Sequence, residues 1–278
     1  MTIGSWLQQA QQQLAIAGSL SPAMDARLLL SHVLNKPSSY FFAWPETQLE
    51  NAQQERLAAL LARRVEGEPI AYLLGKQAFY GRDFKVTPAT LIPRPDTELL
   101  VERTLALAPS CTTEVLDLGT GSGAIALTLA LERPHWRVCG VDNSEEALAV
   151  AKENGVKLGA TNCEFMLSHW FSALKGQRYH VIVSNPPYVA PEDEHLTRGD
   201  VRFEPKTALV AEQEGYADIR DLVQQAKHYL HAGGMFMVEH GYTQGAGVRT
   251  LMQEAGWQGV QTEQDYGERD RVTYGYAP

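Results

Sequence analysis

Two short segments carry residue types at spacings that could do chemistry. The first is Asp117-Leu118-Gly119-Thr120-Gly121-Ser122-Gly123-Ala124, set between the apolar run EVLDL and the helical pattern AIALTLALER. Glycines at a strand-to-helix turn let the backbone approach a ligand closely, and the N-terminus of the following helix offers free N–H groups. This is a cofactor loop by its position, but its spacing leaves the cofactor open. Gly119, Gly121 and Ala124 also satisfy the dinucleotide pattern GxGxxG/A, and Asp142 follows 18 positions after Ala124, near where a ribose-binding acid is expected. The second segment is Asn185-Pro186-Pro187-Tyr188, directly after the apolar run HVIVS. Asn185 offers a side-chain carbonyl and Pro186 a backbone carbonyl, each able to accept one N–H of an NH2 group. The two prolines remove competing donors and restrict the backbone, and Tyr188 adds a flat surface for a planar group.

The elements that must position these segments are legible in the hydrophobic pattern. From Glu114 onward apolar runs alternate with helical stretches: EVLDL, AIALTLALER, WRVCGVD, SEEALAVAKENGV, CEFML, HVIVSN. Such alternation predicts βαβ units, a mostly parallel sheet and a doubly wound α/β domain. Further on, DIRDLVQQAKHYL reads as a helix ended by Gly233 and Gly234, GMFMVEH as a strand, and QGVQTEQ with RVTYGYA as a closing antiparallel pair. The chain before this is different in texture. Trp6, Ala10 and Leu14 recur at four-residue spacing, Ser21 and Pro22 open a second helix, and a third runs from about Gln48 to Val65, which predicts a small helical bundle. Between Ile70 and Glu98 the sequence is dense in Gly, Pro and aromatic residues, with DFKV suggesting a short strand or hairpin. Pro93 and Pro95 hold Arg94 extended, and Asp96 or Thr97 is placed to cap the helix ELLVERTLALA. This stretch is either a stiff interdomain turn or the rim of a ligand site. The expected division is a helical domain over 1–75, a linker with a hairpin over 76–95 and an α/β domain over 96–278.

Asp117 before the glycines, together with NPPY, resembles the class I S-adenosylmethionine-dependent methyltransferases, and NPPY resembles their amino-methylating branch. A sulfonium cofactor is cationic, so a carboxylate beside the loop is tolerated where a pyrophosphate would be repelled. An amide nitrogen is a poor nucleophile, and methyl transfer makes it partly positive, so acceptors such as Asn185 and Pro186 suit that reaction. The likeness extends along nearly the whole chain. The helical N-terminal region, Phe79-Tyr80-Gly81, Pro93-Arg94-Pro95-Asp96-Thr97-Glu98, DLGTGSGAIAL, NPPYV and Val201-Arg202-Phe203-Glu204-Pro205 together resemble the bacterial HemK/PrmC family. These are the peptide chain release factor glutamine-N5 methyltransferases.

That resemblance implies a Rossmann-like catalytic domain and a small helical domain that helps hold the substrate. It implies methyl transfer from S-adenosylmethionine to the side-chain amide of the glutamine in the Gly-Gly-Gln loop of class I release factors, with S-adenosylhomocysteine as the other product. Cofactor contacts are expected at Asp117, Gly119, Thr120, Gly121, Ser122, Gly123, Asp142, Trp170 and Asn185. The glutamine is expected against Asn185, Pro186, Pro187 and Tyr188, with Asn185, Pro186 and Tyr188 in the catalytic role. One departure stands out: the family often reads Asp-Trp where this chain has His169-Trp170, and His169 is left outside the expected site. NPPY also occurs in DNA adenine-N6 and RNA guanine-N2 enzymes, so an amino-methyltransferase acting on nucleic acid is the alternative.

Composition bears on that alternative. The 278 residues carry a formal net charge of −9 and no dense Lys/Arg run, which disfavours a polyanionic substrate. Hydrophobic residues at 44% and charged residues at 21% are ordinary for a globular chain, and no apolar stretch reaches the roughly 20 residues of a membrane span. Cys111, Cys139 and Cys163 form neither a disulfide framework nor a CxxC pair. A cytoplasmic monomer without a metal is the expectation. Glu192, Asp193, Glu194 and His195 lack the spacing of a metal cage, and Glu239-His240 reads as a structural strand end or a rim.

Overall fold

Trp6, Ala10 and Leu14 fall on one face of α1 (Ile3–Ile16), and this stripe meets Ala26, Leu29, Leu30 and Val33 of α2 (Pro22–Leu34). Pro22 occupies the first turn of α2, where a missing N–H is harmless, and Asn35 ends the helix in the left-handed region. Phe41 of α3 (Ser38–Ala43), Leu57 and Leu61 of α4 (Asn51–Val65) and Leu73 of α5 (Ile70–Leu74) complete this apolar core. The computed structural model describes residues 1–278, which fall into two compact units. The first holds Met1–Lys76 together with Glu194–Phe203, a pair of 3-10 turns returned from later in the chain. Within that unit Arg64, almost wholly buried, donates to Asp25 at 2.8 Å and to Asp200 at 2.9 Å.

The second unit, Gln77–Asp193 with Glu204–Pro278, contains the sheet. Strands β1 (Lys76–Phe79) and β2 (Arg82–Lys85) form a hairpin whose two turn residues, Tyr80 and Gly81, both have positive φ. Two-residue turns of that hand match the twist of the flanking strands. A 3-10 turn over Pro95–Thr97 then leads into α6 (Glu98–Leu107). The remaining elements alternate: β3 (Glu114–Leu118), α7 (Ala124–Glu132), β4 (Arg137–Asp142), α8 (Glu145–Leu158), β5 (Cys163–Leu167), β6 (Tyr179–Ser184), the single turn α9 (Glu212–Gly215), α10 (Ala217–Gln225), β7 (Leu230–Glu239), α11 (Gly245–Glu254), β8 (Gln258–Gln264) and β9 (Asp270–Tyr276).

These strands form one seven-stranded sheet in the order β5-β4-β3-β6-β7-β9-β8. The pairs from β5 to β7 are parallel, while β9 runs antiparallel to both β7 and β8. The apolar runs VIV of β6 and MFMV of β7 are continuous because both faces are covered, one by a core built around Leu100, Leu127 and Trp136, the other around Phe171, Leu222 and Trp257. The chain moves outward from β3 to β5 and then returns to lay β6 against the other side of β3. That reversal opens a crevice at the carboxyl ends of β3 and β6, where ligands of such sheets bind.

The sequence pattern misplaced two boundaries. α10 stops at Gln225, a 3-10 turn covers Ala226–Tyr229, and Gly233 and Gly234 fall inside β7 instead of ending a helix. Leu230 is buried and pairs with Tyr179, so the strand must begin before the glycines, which coincide with a shift in the β6–β7 register. Thr97 does occupy the N-cap position of α6, yet its side chain makes no capping bond.

Candidate active site

The three motifs that precede and follow the glycine loop are tied to one another by carboxylates. Glu98 accepts the Tyr80 backbone N–H at 2.7 Å, joining the hairpin turn to α6. Buried Glu204 accepts the Ile92 N–H at 3.1 Å and pairs with Arg94. Asn154, wholly buried on α8, donates to the Ser122 carbonyl at 2.9 Å and exchanges bonds with both backbone groups of Lys85. The hairpin, α8 and the glycine loop are thereby fixed as one body.

The loop itself turns on glycines because of what surrounds them. Gly119 has φ +75°, and a Cβ there would meet the Trp170 ring at 3.4 Å. At Gly123, with φ +80°, a Cβ would lie 2.9 Å from Leu127 and 3.1 Å from Phe165. Asp117, fully buried, accepts the Thr120 hydroxyl at 2.6 Å and the Ala126 N–H at 3.2 Å, while its Oδ1 has no partner. Burial pushes its pKa up to about 7, against the pull of those two donors. Asp142, at the end of β4, accepts from Gly121 N–H at 2.8 Å and Ser144 N–H at 3.0 Å. Burial raises its pKa, and these backbone donors oppose the rise. The N-cap of α8 is Ser144, which accepts from Ala147, so Asp142 is free of that duty and lines the crevice.

A cavity of about 270 Å³ opens here. Of the residues expected from the sequence, Gly119, Gly121, Asp142, Trp170, Asn185 and Pro187 line it. Asp117, Thr120, Ser122, Gly123, Pro186 and Tyr188 do not; the first shapes the loop and the last packs toward β7. Sequence reasoning missed the strip Pro88–Leu91, Glu146, Thr207 and Asp218, and it left out His169, which also lines the wall. Trp170 adopts φ +47°, unusual for a bulky residue, and its carbonyl accepts the Ser168 hydroxyl at 2.7 Å. The nearby indole offsets part of the rise that burial imposes on the Asp218 carboxyl.

The charge of this cavity discriminates between cofactors. Asp142, Glu146 and Asp218 line it, and no Lys or Arg does. The N–H groups of Gly121 and Ala126, which a pyrophosphate would need, are already taken by Asp142 and Asp117. A dianionic bridge would meet carboxylates without a compensating cation, whereas a cationic sulfonium and two ribose hydroxyls fit them.

At the far wall Asn185 directly follows β6, and its Nδ2–H donates to the Thr97 hydroxyl at 3.1 Å. The Asn185 Oδ1 is left without a protein donor. The Tyr188 hydroxyl donates to Glu239 Oε1 at 3.2 Å, and the Tyr188 carbonyl accepts from Gln244. Glu239 is buried at the end of β7, and its Oε2 is otherwise unpartnered. Burial drives its pKa up to about 7, although the nearby Thr97 hydroxyl, the hydrogen bond from Tyr188 and the charge of Arg271 work the other way. At the opposite end of the sheet Glu114, His180 and His231 come together, but His180 Nδ1 already accepts the Glu114 backbone N–H at 3.1 Å.

Strand order, glycine loop and an acid-lined cavity without Lys or Arg define a class I S-adenosylmethionine-dependent methyltransferase domain. Comparison with known proteins narrows this. Residues 110–269 match a family model described as a methyltransferase domain, and residues 5–75 match the PrmC N-terminal domain. The release factor glutamine methyltransferase of Vibrio cholerae is 51% identical over 99% of this chain and 96% of its own length. That of Pseudomonas aeruginosa is 50% identical over 92% of this chain and 93% of its own. Among solved structures, a methyltransferase from Pyrococcus furiosus superimposes with a TM-score of 0.54 at 18% identity, covering 79% of this chain and 98% of that one. The chain belongs to the release factor glutamine methyltransferase family.

Proposed function

We propose that the chain methylates the N5 side-chain amide of the glutamine in the Gly-Gly-Gln loop of class I release factors, using S-adenosylmethionine. The observation that carries this reading is the pairing of an acid-lined cavity free of Lys and Arg with Asn185, whose carbonyl has no protein donor, on one wall. S-adenosylmethionine supplies a methyl group made electrophilic by the cationic sulfur. Asp142 accepts from the ribose hydroxyls, Gly119 and Gly121 allow close approach of the methionine portion, and Trp170 closes one side.

The Asn185 side-chain carbonyl and the Pro186 backbone carbonyl each accept one N–H of the glutamine NH2. With both hydrogens held, the nitrogen lone pair is turned toward the donor, and the positive charge that develops on nitrogen meets two oxygen dipoles already in place. Pro186 and Pro187 keep the carbonyls aimed by restricting the backbone. No protein nucleophile is required, and the released proton passes to solvent. The helical unit over residues 1–75 grips the body of the release factor, so that a loop glutamine is delivered to Asn185.

The test is incubation of the purified chain and methyl-labelled S-adenosylmethionine with a release factor, its Gln→Ala loop variant, DNA and RNA, followed by mass mapping. Label confined to the intact glutamine loop is expected. Label on nucleic acid would overturn the substrate while keeping the NPPY chemistry.

A further inference from the structure

The amino ends of the central strands lie away from the cavity, and three side chains meet there. Glu114 opens β3, and His180 and His231 are the second residues of β6 and β7. Register aligns them across three neighbouring strands: Val115 pairs with Val181, which puts Glu114 level with His180, and Tyr179 pairs with Leu230, which puts His180 level with His231. The β6–β7 register shifts between Leu230 and Met235, so His231 sits in an irregular stretch of the kind that re-aims a side chain. The two imidazole rings lie 4.5 Å apart, centroid to centroid, and are tilted by 40°. One donor atom from each of the three residues lies within 4.8 Å of the others.

We propose that Glu114, His180 and His231 form a binding site for one divalent transition-metal ion of the zinc class, a staple across β3, β6 and β7. Two imidazoles and one carboxylate are a donor set that such ions take. The spacing supports it. Glu114 Oε2 lies 3.6 Å from His231 Nε2 and 3.8 Å from His180 Nδ1, too far for hydrogen bonds. Two donors held at about 2.1 Å by one tetrahedral ion lie about 3.4 Å apart, so small side-chain rotations close the site.

Both nitrogens suit an ion. A backbone N–H can only donate, so the 3.1 Å bond from the Glu114 N–H shows that His180 Nδ1 carries a lone pair on the side where Glu114 lies. The ion takes that lone pair in place of the N–H, and water takes the N–H of Glu114 at this partly exposed strand end. His231 Nε2 is covered from solvent and has no hydrogen-bond partner, a state that costs free energy and that a bound ion relieves. The three side chains are 39% to 42% exposed, so an ion can enter from solvent and keep a water in its remaining position. None of the three lines the cavity, so the ion acts on the sheet and not on methyl transfer.

The experiment titrates zinc into metal-free, full-length protein by calorimetry, follows Tm with and without zinc, and records the visible spectrum of the cobalt-loaded chain. His231→Ala and Glu114→Gln are compared with wild type and with His228→Ala, which removes an exposed histidine outside the group. Wild type and His228→Ala should bind a single zinc ion with a Kd on the order of 1 µM and gain roughly 5 °C in Tm at about 100 times Kd. Both site variants should bind roughly tenfold or more weakly and lose most of that gain, because one of three protein ligands is gone. Glu114→Gln keeps the side-chain shape and the backbone N–H that His180 accepts, so it decides the question if His231→Ala fails to fold. Cobalt should show the intense visible bands of a tetrahedral site in wild type and not in the site variants. Absence of zinc binding by wild type, equal zinc affinity in Glu114→Gln and wild type, or a cobalt spectrum like that of the hydrated ion each overturns the site.

Discussion

Asn185 and Thr97 come from two motifs, one after β6 and one opening α6, and are joined by an amide-to-hydroxyl hydrogen bond of 3.1 Å. This bond ties the Pro-Arg-Pro-Asp-Thr segment to NPPY and engages the NH2 end of the Asn185 amide.

Asn185→Ala removes the side-chain acceptor and leaves the glycine loop and Asp142 untouched, since neither bonds to Asn185. Cofactor affinity should stay within a few-fold, while transfer falls by roughly 100-fold or more, the scale seen when one preorganised polar contact to a transition state is deleted. Calorimetry for the cofactor beside single-turnover transfer separates the two quantities. Full activity of the variant would remove Asn185 from the mechanism.

Asp142→Ala acts at the other wall. The substitution frees the Gly121 and Ser144 N–H groups and removes the acceptor for the ribose hydroxyls. Charge-assisted hydrogen bonds contribute roughly 1.5–3 kcal/mol, so cofactor Kd should rise by about 10- to 100-fold. The change should appear in binding before it appears in kcat at saturating cofactor.

Much of this site was legible in the sequence because its parts are local. Gly119 to Gly123 follow an apolar run, Asp142 ends the next one, and Asn185 to Tyr188 follow a third, so pattern and order place them together at the carboxyl ends of parallel strands. Glu239 was read only as a strand end or rim, since nothing in its neighbours in sequence says that β7 lies beside β6 and sets its carboxylate under Tyr188. Thr97 was read as a cap, which is what local propensity favours. The tertiary partner Asn185 won instead. Asp218, Thr207 and Pro88–Leu91 reach the cavity from segments distant in sequence and carry no motif of their own.

Asp117 makes stability pH-dependent, and buried Glu239, also raised to about 7, contributes in the same direction. The Asp117 carboxyl titrates near 7 in the folded chain, above an unfolded value near 3.8. Between these values the folded state binds the extra proton, so stability falls as pH rises from about 4 through 7 and is flat beyond. Asp117→Asn removes its share of that decline. Urea unfolding of the cofactor-free protein at several pH values should therefore give curves that diverge with rising pH in favour of the variant, whatever their offset at low pH. Parallel curves would show that Asp117 does not carry the protonation.

The helical unit supplies the last expectation. Phe42 on α3 and Trp44 just after it are 71% and 61% exposed, although the rest of that helix turns Phe41 into the core. Large exposed aromatics at neighbouring positions suit a partner surface, where Trp and other aromatic residues supply much of the binding energy. Replacing both by alanine should raise KM for intact release factor roughly tenfold or more and leave kcat unchanged. An isolated Gly-Gly-Gln peptide, which offers this unit nothing to grip, should be a poorer substrate for the wild type and should not distinguish wild type from variant. Equal efficiency of the peptide and the intact factor would remove the helical unit from substrate recognition.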